Sequence, residues 1–88
     1  MLADYIAIEN RYRTLVGMPL VDLTNRNDLL SLVKLLDESV LPENLMADGQ
    51  NDEAQINRKF DYLCAIATEL HWIDPTLQFR NFDISFGD

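Results

Sequence analysis

Few residues in this chain could do chemistry. It holds one cysteine, Cys64, one histidine, His71, and fifteen Asp and Glu against seven Lys and Arg. A tetrahedral zinc site needs four ligands of the Cys or His kind, and one of each cannot build it. A carboxylate-bridged di-iron site wants Glu-x-x-His on a helix, whereas Glu69 and His71 are two apart and point to different faces. The run Asp48-Gly-Gln-Asn-Asp52-Glu53 resembles a calcium loop only superficially. Such a loop needs Gly at its sixth position and a bidentate acid at its twelfth, and here Gly49 stands second and Lys59 twelfth. No metal is expected.

Covalent catalysis meets the same obstacle. Cys64 and His71 lie seven residues apart on one predicted helix. They are therefore about 10 Å apart along its axis, where a nucleophile and its base need about 3 Å. Cys64 reads instead as a small residue at the edge of a core, and His71 as a helix C-terminal residue. Paired carboxylates such as Asp37-Glu38 and Asp52-Glu53 would need a pocket that separates their pKa values, and the default for them is a solvated face. Three glycines leave no phosphate-cradling loop. The expectation is a protein that is not an enzyme and carries no cofactor.

The elements that position these residues are helical. Met1, Tyr5, Ile8, Tyr12 and Leu15 recur at four-three spacing, which predicts a helix over residues 2–16 ended by Gly17 and Pro19. Residues 19–23 read as extended. A polar cluster, Thr24 to Asp28, starts a second helix over 28–40, apolar nearly all round. Pro42 ends it and opens a short turn. A third helix over 52–71 carries Ile56, Phe60, Leu63, Ala67 and Leu70 on one stripe. The three stripes are expected to share a core that buries Leu29, Val33, Leu36, Phe60, Leu63 and Ala67. After the turn Asp74-Pro75-Thr76, alternating apolar residues over 77–86 read as an extended tail. The fold class is mainly α: a single domain, residues 1–88, of three helices with a short C-terminal segment. A two-stranded mini-sheet of that segment with residues 19–23 is one arrangement open to it.

Charge narrows the function. A net charge of −8 disfavours direct binding to nucleic acid or an anionic membrane. Arg11-Tyr12-Arg13 and Arg58-Lys59-Phe60 are small basic patches that more simply balance neighbouring acids. No 7–15-residue apolar stretch follows Met1, so nothing reads as a secretory signal. A single cysteine suits a reducing compartment, and a cytoplasmic location is expected.

The most one-sided stretch holds Asp37, Glu38, Glu43, Asp48, Asp52 and Glu53, six acids with no basic residue between 37 and 53. These are the candidate partner-binding residues. The reading is a small acidic inhibitor, immunity or antitoxin-like protein that masks a basic surface of a macromolecular partner. The alternative is an oligomeric structural or accessory subunit whose acidity serves solubility. Two predicted helices can cover only part of so apolar a second helix, so a homodimer is expected. Leu32, Leu35, Phe79, Phe82, Ile84 and Phe86 are its candidate interface or tail contacts.

Overall fold

The computed structural model describes residues 1–46 and 52–83. Four helices follow one another: α1 (Leu2–Leu15), α2 (Arg26–Ser39), α3 (Pro42–Leu45) and α4 (Glu53–Ile73). The mainly α class holds. The short turn expected after Pro42 is a helix in its own right, because proline suits the first helical position and Leu41 before it takes the extended backbone that proline demands.

Local chemistry sets the ends. Asn25 and Asp52 cap α2 and α4, accepting hydrogen bonds from the backbone N–H of Asn27 and Ala54. At the end of α1, Met18 N–H donates to Arg13 O and Gly17 N–H to Thr14 O. This paired arrangement turns the chain with Gly17 at φ +77°, in the left-handed region.

The core is one cluster, with Leu32, Leu36, Ile66 and Leu70 fully enclosed. Leu29, Val33, Leu63 and Ala67 join it as expected. Phe60 does not: it stays 37% exposed and stacks on Phe82 at a centroid distance of 5.9 Å. The larger correction concerns α1. Most of its four-three stripe faces outward, with Met1, Ile8, Tyr12 and Leu15 exposed and only Tyr5 packed on the core, while Leu2 and Arg13 are buried. Two tertiary bonds decide this orientation. Leu2 N–H, an unpaired donor at the start of α1, donates to Glu69 of α4 at 2.6 Å. Arg13 lies inward between Glu9, Asp28 and the Pro19 carbonyl, at 3.3–3.5 Å from each.

Among the described residues neither 19–23 nor the C-terminal segment forms a strand, so the mini-sheet is not the arrangement found. Residues 19–23 are held by side chains instead: Val21 N–H donates to Asn10 Oδ1 and Asp22 N–H to Asp28 Oδ2, both at 2.8 Å. The C-terminal segment crosses α2 as irregular backbone. Leu77 and Phe82 enter the core, and Arg26 at the start of α2 meets Asp74 at 2.7 Å.

This crossing answers the puzzle of an over-apolar second helix. Leu32 is fully buried within one chain and Leu35 is half-buried, so Leu32 offers nothing to a second subunit. Residues outside the predicted helices, in α3 and in the C-terminal segment, join α4 in covering α2. Phe79 is half-buried and meets Phe82 edge-on at 5.7 Å. Ile84 and Phe86 lie outside the described residues.

Candidate functional site

The acids Glu38, Glu43, Asp52 and Glu53 lie along the chain at the end of α2, in α3 and at the start of α4. α3 is tied to both neighbours. Asn44 Nδ2 donates to Glu38 O at 2.6 Å, satisfying a carbonyl at the end of α2, and Lys59 Nζ of α4 donates to Leu45 O at 3.2 Å. Buried Leu45 anchors the turn to the core. Glu38, Glu43, Asp52 and Glu53 are all exposed around this junction, and none of them forms an ion pair among the described residues. Asp52 also spends one carboxylate oxygen on capping α4. Asp48 lies outside the described residues.

Asp37 is a correction. It was expected on the exposed acidic face, and it is 9% exposed. Its carboxylate accepts from Arg80 N–H at 3.1 Å and from Asn81 N–H at 3.0 Å, while Asn81 Nδ2 donates back to Asp37 O at 2.6 Å. An irregular segment has no ladder to satisfy its own amides, so a carboxylate on the helix it crosses does so. Asp37 is thus the clasp that fastens the C-terminal segment. No sequence signal marks it, because its partners lie more than forty residues away. Lys59 is a second departure: it brings a positive charge to an end of the molecule that the linear run 37–53 shows as purely acidic.

Beside Asp37 an open groove of about 400 Å³ runs between α2 and the C-terminal segment, lined by Leu30, Lys34, Glu38, Leu41 and Arg80 among others. Its charges are mixed, and it contains no cysteine or histidine. Elsewhere, burial pushes the Cys64 thiol above its usual value, with Asp61 adding to the effect, so the nucleophilic thiolate is disfavoured. No group of three or more His, Cys, Asp or Glu among the described residues is placed to hold a metal ion. Of the basic patches, Arg13 is paired with Glu9 and Asp28 inside the fold, and Arg11 stays exposed.

Comparison with known proteins finds no matching family model, no similar curated protein and no similar solved structure. The surface stands on its own chemistry. Among the described residues, no helix is long and apolar enough to cross a membrane.

Proposed function

We propose that this chain is a non-enzymatic, cytoplasmic protein-binding module, an inhibitor, immunity or antitoxin-like protein that masks a basic surface of a macromolecular partner. One observation supports this reading above the others. Glu38, Glu43, Asp52 and Glu53, on the end of α2, α3 and the start of α4, are exposed and without ion-pair partners among the described residues. Unpaired carboxylates keep their field available to an incoming cation. That field accelerates encounter more than it slows release. The alternative is a structural or accessory subunit in which the same acids serve only solubility.

Salt and charge reversal separate the two. Affinity capture from the source cell, run at low and high salt with the wild type and with Glu38→Lys/Glu43→Lys/Glu53→Lys, is read by quantitative mass spectrometry. A masking protein retains a basic partner at low salt and loses it in high salt or on charge reversal. An identical captured set for both proteins at both salts overturns the proposal.

A further inference from the structure

α1 and its N-cap leave four large apolar side chains uncovered on one stripe. Met1 is 57% exposed, Ile8 59%, Tyr12 56% and Leu15 87%. At 3.6 residues per turn these four fall within about 60° of one another around the helix. Their four-three spacing is that of a coiled-coil seam, with Tyr5, half-buried against the core, at its inner edge. Asp4 and Arg11 flank the seam on its solvent side, seven residues apart and each exposed, and neither has an ion-pair partner among the described residues.

The geometry points to a second copy of this chain as the occupant, with the two α1 helices packed antiparallel so that Met1 meets the partner's Tyr12 and Ile8 lies over the exposed edge of the partner's Tyr5, whose other side packs on its own core. Charge selects this register. In it, Asp4 of each copy faces Arg11 of the other, giving two attractive pairs across the seam. Sliding the helices by one heptad, so that Ile8 meets the second copy's Tyr12, sets Arg11 against Arg11. A parallel pair brings Asp4 and Arg11 opposite one another nowhere along the seam. Only the first arrangement forms the two Asp4–Arg11 pairs, and opposite charges flanking a seam select the register that joins them.

Packing favours the same pairing. α1 is already held helical by its bonds to Glu69 and Asp28, so association need not supply the cost of forming it. The paired stretch is about 18 Å long. So short a seam makes a small interface, and the dimer is expected to be weak. The inference does not rest on the acidic end, which is built from α2, α3 and α4.

Sedimentation equilibrium of the full chain, from low micromolar to near-millimolar concentration, tests it. The mass should rise from 10.1 kDa towards twice that value. Ile8→Glu should leave helical circular dichroism unchanged and weaken the dimer at least about tenfold. Leu15→Glu, one turn beyond the last paired layer, should weaken it far less. Asp4→Arg and Arg11→Asp should each weaken association, and the double swap should restore it. A chain that stays at 10.1 kDa at every concentration overturns the pairing. Greater loss from Leu15→Glu than from Ile8→Glu, or a double swap that restores nothing, overturns the register.

Discussion

Asp37 and Arg13 carry the sharpest residue-level lessons, because both are charged, both are buried and both are hydrogen-bonded to partners elsewhere in the fold. Replacing Asp37 with alanine strands the Arg80 and Asn81 amides beside α2. That should lower unfolding stability by about 2–3 kcal/mol, read from denaturant titration. A loss no larger than that of Glu38→Ala, an exposed neighbour, would show that the clasp is unimportant. Asp74 contributes through a different route. Its bonds from the Thr76 hydroxyl and N–H, with Arg26 alongside, hold its carboxyl below the usual value of 3.8. A lowered folded-state value means stability that is present above pH 3.8 and is lost as pH falls through the folded-state value. Asp74→Asn should therefore be less stable than wild type at neutral pH, and the gap should narrow below pH 3.8 in thermal melts. A gap that stays constant with pH would remove this electrostatic account.

The helices owe their ends to local chemistry and their faces to tertiary contacts. Gly17 illustrates the first. A Cβ there would meet nothing within 4 Å, yet its φ of +77° disfavours any L side chain. Gly17→Ala should cost about 1–2 kcal/mol although space is open, and Gly17→Asn should cost less, because asparagine tolerates the left-handed region. Equal melting temperatures for Gly17→Ala and wild type would mean that the turn has relaxed to another conformation. α1 illustrates the second point. Its apolar periodicity is clear, but the periodicity alone does not say which side of a helix the domain covers. The helix carries one inward line of Leu2, Tyr5, Ile6, Glu9 and Arg13, tied down by polar bonds, and one outward apolar seam.

For the molecule as a whole, the core closes only when the C-terminal segment lies over α2. Leu77 and Phe82 are 4% and 6% exposed, and Phe82 bridges Phe60 and Phe79. Truncation after Pro75 should expose one side of α2, lower the melting temperature by several degrees and increase binding of a hydrophobic dye. A truncated chain that melts at the wild-type temperature would show that the segment is dispensable to the fold. The same truncation leaves α1 and its seam in place.

What the sequence determined by itself is the α class, the approximate spans of the three long helices and the membership of much of the core. These follow from short-range patterns: apolar spacing, a capping asparagine or aspartate, a stop at glycine or proline. Gly17, Asn25 and Asp52 act within three residues of themselves, so they are legible without a fold. The candidate site was legible only in part. Glu38, Glu43, Asp52 and Glu53 are exposed as the charge of each alone would suggest. Tertiary structure alone decided that Asp37 leaves that group, that Arg13 turns inward, and that Leu32 is enclosed by its own chain. Each outcome depends on partners far along the chain: Arg80 and Asn81 for Asp37, Asp28 for Arg13, and the neighbouring elements that cover Leu32. A charge is exposed or buried according to whether a distant donor or acceptor arrives to replace water, and no periodicity records that arrival.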